Sequence, residues 1–205
     1  NLCYFKKMFK NKIVIVTGAG NGIGKSIAKM FSEKEAIVCI TDINLENAKQ
    51  TSEECKNKSY YFKLDVTKKS EVASVFNNIS NTIGNYEILI SNAGISTMNK
   101  IENLSEKEWD SNINVNAKGV FLTNQEAIIH FKKLRIKGRI VNTASLAAKI
   151  GAPLLSHYSA SKFAVVGFTQ AAARETAKFD IRINAVCPGF VKTSMQEREV
   201  KWEAK

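Results

Sequence analysis

Short apolar runs alternate with longer stretches in which hydrophobic residues recur every three or four positions, along nearly the whole chain. The runs at 12–17, 36–41, 60–64, 86–91, 138–143 and 181–186 predict six strands. Ile13-Val14-Ile15-Val16 and Ile88-Leu89-Ile90 are apolar at consecutive positions, so both faces of these strands must be covered. Central strands of a parallel sheet with helices on each side meet that condition. Amphipathic stretches at 24–34, 45–56, 71–83, 106–133 and 159–178 predict the helices. Repeated βα units with short connections predict an α/β fold, a doubly wound parallel sheet in three α/β/α layers. No internal repeat, low-complexity segment or domain boundary interrupts the pattern. Residues 9–205 are therefore expected to form a single domain, with residues 1–8 as an N-terminal extension.

Composition narrows the class. Of 205 residues, 44% are hydrophobic and 24% charged, which suits a folded globular chain and argues against disorder. No window approaches roughly 18 consecutive apolar residues, so no membrane partner is expected. The lysine-bearing start lacks an apolar core long enough for a signal peptide, and a cytoplasmic location is expected. The four cysteines Cys3, Cys39, Cys55 and Cys187 lie far apart, with no C-x-x-C pair or histidine cluster, so no metal site is expected. The net charge of +11 invites a nucleic-acid partner. However, the 30 basic residues are interleaved with 19 acidic ones, and no basic run carries stacking aromatics. A solvated surface explains them, and no nucleic-acid binding is expected.

The first strand opens into a helix through Thr17-Gly18-Ala19-Gly20-Asn21-Gly22-Ile23-Gly24. Glycines at this junction let the backbone approach a pyrophosphate, which the helix N-terminus attracts. The spacing is G-x-x-x-G-x-G, on Gly18, Gly22 and Gly24. Asp42 closes the second strand, where an acid can grip a ribose hydroxyl. A competing pattern ends in Gly24-Lys25-Ser26 and nearly reproduces a nucleoside-triphosphate P-loop, with Ala19 in place of its first glycine. Only the dinucleotide alternative accounts for the polar residues downstream. Asp65-Val66 and Asn92-Ala93-Gly94 follow the third and fourth strands, at the strand ends where open α/β sheets bind ligands. Ser145 ends the fifth strand, and Tyr158 and Lys162 follow four residues apart, on one face of a helix.

Together these residues resemble the short-chain dehydrogenase/reductase family, over nearly everything from Phe9 to Thr193. The resemblance implies a Rossmann fold and an oxidoreductase moving hydride between NAD(H) and a small alcohol or ketone. It implies Asn116, Ser145, Tyr158 and Lys162 as the catalytic set. Cofactor contacts fall on Gly18, Asn21, Gly22, Ile23, Gly24, Asp42, Asp65, Val66, Asn92, Ala93 and Gly94. Tyr158, Lys162, Pro188, Gly189, Val191 and Thr193 complete them near the nicotinamide. Tyrosine ionises near pH 10, and a Lys162 ammonium would lower that value so that Tyr158 exchanges protons with substrate. Ser145 would hold the substrate oxygen. Asn116, out of place in a helix interior and close to Gly119, marks a local break; in the family such a residue positions a relay water. His130 and His157 are expected to be ordinary histidines.

Asp42, with no positive charge at Asn21, implies NAD over NADP. The segments around Tyr158 and Thr193 resemble polyol and acetoin/butanediol dehydrogenases somewhat more than NADPH-dependent 3-oxoacyl carrier-protein reductases. A nucleotide-binding protein of this fold without turnover is the remaining alternative. Family members continue beyond the segment holding Thr193 with further helices and a seventh strand. The sequence, ending at Lys205, is thus expected to be incomplete at its C-terminus, poorly active alone and prone to associate through an open sheet edge. Homo-oligomers are expected, with the helices around 116–133 and 159–178 as one interface.

Overall fold

A computed structural model describes residues 8–203; the expected extension over 1–8, including Cys3, lies outside the described residues except for Met8. The first half of the chain runs β1 (Ile13–Thr17), α1 (Gly22–Glu33), β2 (Ile37–Asp42), α2 (Leu45–Glu53), β3 (Ser59–Lys63), α3 (Lys69–Thr82) and β4 (Ile88–Ser91). The second half runs α4 (Glu106–Asn112), α5 (Gly119–Leu134), β5 (Arg139–Thr143), α6 (Ser156–Thr176), β6 (Arg182–Val186) and α7 (Ser194–Glu203). The strands form one sheet in the order β3-β2-β1-β4-β5-β6, and every pairing is parallel.

All five residues of β1 are buried, because alternate side chains enter different cores. Ile13 and Ile15 join Leu89, Ile140 and Ile183 against Phe76 of α3 and Phe131 of α5. Val14 and Val16 join Val38, Ile40 and Ile90 against Ala28 of α1 and Ala48 of α2. Each large aliphatic side chain so buried stabilises the fold by roughly 1.5–3 kcal/mol relative to exposure. The middle strands therefore anchor the molecule.

All six predicted strands are present to within a residue or two. The helix predicted over 106–133 runs without interruption but is not α-helical throughout. It resolves into α4, a π-helical turn at Ile113–Lys118 and α5, so the break expected at Asn116 is a wider helical turn. Helix α7 has no counterpart in the sequence-based prediction. Among the described residues no helix is long and apolar enough to cross a membrane.

Candidate active site

The strand order reverses between β1 and β4, so the chain leaves these neighbours in opposite directions and opens a crevice beyond their C-terminal ends. A cavity of about 800 Å³ lies there. One wall is the β1–α1 turn. Gly18 (φ +59°) and Gly22 (φ +54°) occupy the left-handed region that glycine tolerates. A Cβ on Gly18 would stand 2.6 Å from the Ala93 Cα. Asn21 begins α1 by accepting the Gly22 N–H at its Oδ1 (2.7 Å), and no acidic residue occupies the first turn. The helix thus presents its positive end to the cavity without a competing carboxylate. Asn92 braces this turn: its Nδ2 donates to the carbonyls of Thr17 and Gly18 (both 3.1 Å). The Thr17 hydroxyl accepts from the backbone of Asn92 (2.9 Å) and Ala93 (3.1 Å). Gly24 does not line the cavity. A Cβ there would run into the Gly18 carbonyl oxygen, so the third glycine lets the helix pack on its own entry turn.

Asp42 points into the same cavity from the end of β2. Its Oδ2 accepts the Gly20 N–H and its Oδ1 the Asn44 N–H, each at 2.9 Å, which fixes the carboxylate against the glycine turn. Lys25 turns away and pairs with Glu54 at 2.7 Å. The lysine that the P-loop alternative requires on a phosphate is therefore engaged elsewhere, and that alternative loses its central contact. Asp65 and Val66 line the cavity beside Gly94. Partial burial opposes the Asp65 charge, but hydrogen bonds from Thr67 and the nearby Lys68 outweigh it and hold the carboxyl below its ordinary range.

Ser145, Tyr158 and Lys162 meet on the opposite wall. Ser145 leaves β5 in an extended conformation and caps a short 3₁₀ turn, its Oγ accepting the Ala147 N–H at 3.2 Å. Tyr158 lies in the first turn of α6 and Lys162 one turn later. Burial pushes the Tyr158 phenol above its ordinary value; the Ser145 hydroxyl pulls it back and Glu199 adds to the rise. The lowering expected from Lys162 is therefore not the dominant influence within the chain itself. Lys162 Nζ lies 5.7 Å from the ring centroid and donates to the Thr143 carbonyl at 2.9 Å. Burial instead brings the Lys162 ammonium down to about 8.

Asn116 lies behind this wall rather than in it, fully buried on the π-helical turn. Its Oδ1 accepts the Ile95 N–H (2.8 Å), and its Nδ2 donates to the Ile95 carbonyl and to Ser161 Oγ (both 2.9 Å). Both amide protons are spent, so the side chain clamps Ile95 to Ser161. A Cβ on Gly94 would stand 3.2 Å from Asn116 Oδ1 and 3.3 Å from Lys162 Nζ, so glycine there keeps the two close.

Pro188, Gly189, Val191 and Thr193 line the cavity as expected. Thr193 also starts α7, its Oγ1 accepting the Gln196 N–H at 3.3 Å. Sequence reasoning missed what α7 adds: Met195, Gln196, Arg198 and Glu199 line the same cavity. Leu146, Ile150 and Leu155 supply an apolar side to the same space. The charged stretch 196–199 carries no apolar helical signature, because its inward face lines a cavity and not a core.

The family model of short chain dehydrogenases matches residues 12–204. An uncharacterised oxidoreductase of Thermotoga maritima is 40% identical over 196 residues, covering 94% of this chain and 77% of its own. A 3-oxoacyl-[acyl-carrier-protein] reductase of the same organism is 36% identical, over 92% of this chain and 78% of its own. The diacetyl reductase [(S)-acetoin forming] of Staphylococcus epidermidis is 35% identical, over 92% and 74%. Among solved structures, a short-chain type dehydrogenase/reductase from Mycobacterium marinum superposes with a TM-score of 0.93 at 29% identity. That match covers all of this chain and 82% of the other. With a glycine turn, a strand-end acid and a Ser-Tyr-Lys wall around one crevice, the chain belongs to the short-chain dehydrogenase/reductase family of NAD(P)-dependent oxidoreductases.

Proposed function

We propose that this protein interconverts a small secondary alcohol and its ketone with NAD(H), using Tyr158 as the proton-exchanging group. The observation that carries the proposal is the convergence of Ser145, Tyr158 and a desolvated Lys162 on the cavity that the glycine turn also faces. The cradle fits a dinucleotide: its glycines leave the α1 N-terminus uncovered for a pyrophosphate, and Asp42 is set to accept ribose hydroxyls. When bound, the nicotinamide supplies or accepts the hydride.

The chain's own residues handle the oxygen. Ser145 Oγ donates to the substrate oxygen and fixes it beside Tyr158. In reduction Tyr158 gives its phenolic proton to that oxygen as negative charge develops, and in oxidation it takes the proton back. Burial raises the phenol above its ordinary value and so disfavours the phenolate. The Lys162 ammonium supplies the counter-charge as the phenolate forms; its lowered pKa then lets it return a proton to the phenolate and regain one from solvent. Asn116 holds Ile95 and Ser161 in place behind the pair; its backbone, on the widened turn, is the part left to hold a relay water.

Asp42 favours NAD, since a 2′-phosphate would bring like charge against a carboxylate already fixed in place. The apolar flank of Leu146, Ile150 and Leu155 favours a small diol or hydroxyketone, in keeping with the diacetyl reductase likeness. The 3-oxoacyl reductase relative supports the second alternative, NADPH-dependent reduction of the 3-keto group of an acyl thioester. The test is turnover of diacetyl and of an acetoacetyl thioester with NADH and NADPH, for wild type and Tyr158→Phe. The variant should bind cofactor normally and lose at least about a thousandfold in kcat. Near-normal turnover in Tyr158→Phe would refute the mechanism. Cofactor binding with no turnover of any carbonyl by the wild type would favour a binding protein.

A further inference from the structure

The mechanism above gives His157 no part, although it precedes Tyr158 and is 0% exposed. Its Nε2 lies 2.7 Å from Thr97 Oγ1. That oxygen also accepts from Asn112 Nδ2 (3.1 Å), and Asn112 in turn donates to the Glu108 carbonyl on α4 (3.0 Å). The other ring nitrogen, Nδ1, is buried without a partner. A buried imidazole with one nitrogen unsatisfied is less favourable than an apolar side chain of the same volume, so packing does not explain it.

The local helix start does. Tyr158 sits in the first turn of α6, where backbone N–H groups lack intrahelical partners and helices fray. The residue at the cap position is Leu155, which offers no side-chain hydrogen bond. Just before it, Leu154 takes a left-handed conformation (φ +63°). The His157–Thr97 bond therefore fastens this turn to the 95–97 segment, beside Ser159 Oγ, which accepts the Ala152 N–H at 3.3 Å and ties the turn to the loop before it. It also completes a circuit. Two residues before Thr97, Ile95 is clamped on both backbone groups by Asn116. Asn116 reaches Ser161, whose hydroxyl donates to the Tyr158 carbonyl at 2.6 Å. The segment 95–97 thus links the asparagine and the tyrosine from one side, and Ser161 links them from the other.

We propose that His157 is a positioning residue: its bond to Thr97 anchors the uncapped first turn of α6 to the 95–97 segment and holds the Tyr158 hydroxyl at the reacting oxygen. Burial holds the imidazole below its ordinary range against the pull of Glu108, consistent with a neutral ring sharing one hydrogen bond. The inference rests on the assignment of Tyr158 as the proton-exchanging group.

The experiment compares wild type, His157→Phe, His157→Gln, Thr97→Val, the double variant His157→Phe/Thr97→Val, and Tyr158→Phe. Turnover is expressed per cofactor-binding site titrated with NADH, which removes any loss of folded protein. His157→Phe and Thr97→Val should each lose about tenfold to a hundredfold in kcat, because small displacements of a reacting group are costly. Their KM for cofactor should stay within about twofold, since the glycine cradle is untouched. His157→Gln, which can still reach Thr97, should recover most of the rate. The double variant should be no slower than the slower single, as expected for one shared interaction. If His157→Phe fails to fold, Thr97→Val decides, because it removes the hydroxyl from a half-buried loop position. Unchanged kcat in the folded single variants, with Tyr158→Phe inactive, would overturn the role of His157 alone. Unchanged kcat in Tyr158→Phe would overturn the assignment of Tyr158 and this inference with it.

Discussion

Lys162 carries an ammonium into a site where its hydrogen-bond acceptor is a carbonyl, that of Thr143, and where only 4% of its surface is exposed. Burial lowers its pKa from 10.5 to about 8. Between those values the unfolded chain binds a proton that the folded chain has released, so stability rises with pH across the window. Below pH 8 both states are protonated and the buried charge exerts its full cost. Lys162→Met removes that charge but leaves the Thr143 carbonyl unpaired. The variant's stability relative to wild type should therefore fall by about 3 kcal/mol between pH 8 and 10.5, read by urea unfolding at each pH, while its turnover collapses throughout. A pH-independent difference would show that Lys162 is not desolvated. Asp42 is the opposite kind of residue, a charge kept in place by two backbone N–H groups. Near the surface, repulsion between unit charges about 4 Å apart ranges from roughly 1 to 4 kcal/mol. Asp42→Ala should thus raise the NADPH/NADH ratio of kcat/KM by about tenfold or more. An unchanged ratio would leave Asp42 with only its turn-holding role.

In the proposed function cofactor binding depends on the β1–α1 turn, and Gly24 tests it without touching the cavity wall. An added methyl would collide with the Gly18 carbonyl and stand 2.5 Å from Asn92 Nδ2, the group bracing the turn. Overpacking of this kind costs about 1–3 kcal/mol. Gly24→Ala should lower the melting temperature and weaken NADH binding more than about tenfold, with kcat at saturating cofactor largely kept. Undiminished affinity would show that the turn absorbs the methyl. This turn was legible in the sequence because glycine spacing, an apolar strand and a helix start lie within one short segment. The Tyr158–Lys162 pair was legible for the same reason. What was not legible depends on distant partners. The widened turn at Asn116 is held by Ile95 and Ser161, 21 and 45 residues away. The outward turn of Lys25 depends on Glu54, 29 residues on. Helix α7 was missed because its inward residues face a cavity, so the apolar periodicity of a core-packed helix is weak there. The bond between His157 and Thr97 was not legible either, because the two lie 60 residues apart.

At the scale of the whole molecule, association has two candidate surfaces. One is the outer edge of β6, the last strand of the described sheet. The other is the face of α5 and α6 carrying Phe121 (40% exposed) and Phe163 (46% exposed). The edge is short, and Arg182 and Asn184 punctuate its apolar residues, a composition that discourages strand pairing between copies. On α6, Phe163 is followed by exposed Ala164, Gly167 and Ala171, small residues that let another helix come close while the aromatic rings fill the gaps. Aromatic anchors of this kind dominate interface energetics when desolvated. The helix face should therefore form the dimer. Phe163→Glu would bury a charge at its centre and should move the dimer–monomer midpoint in sedimentation by about tenfold or more towards monomer. Val186→Lys, on the β6 edge and 45% exposed in the single chain, should leave that midpoint where it was. The reverse pattern, dissociation by Val186→Lys with Phe163→Glu still dimeric, would assign association to the sheet edge. The exposed aromatic rings on α5 and α6 would then need another explanation.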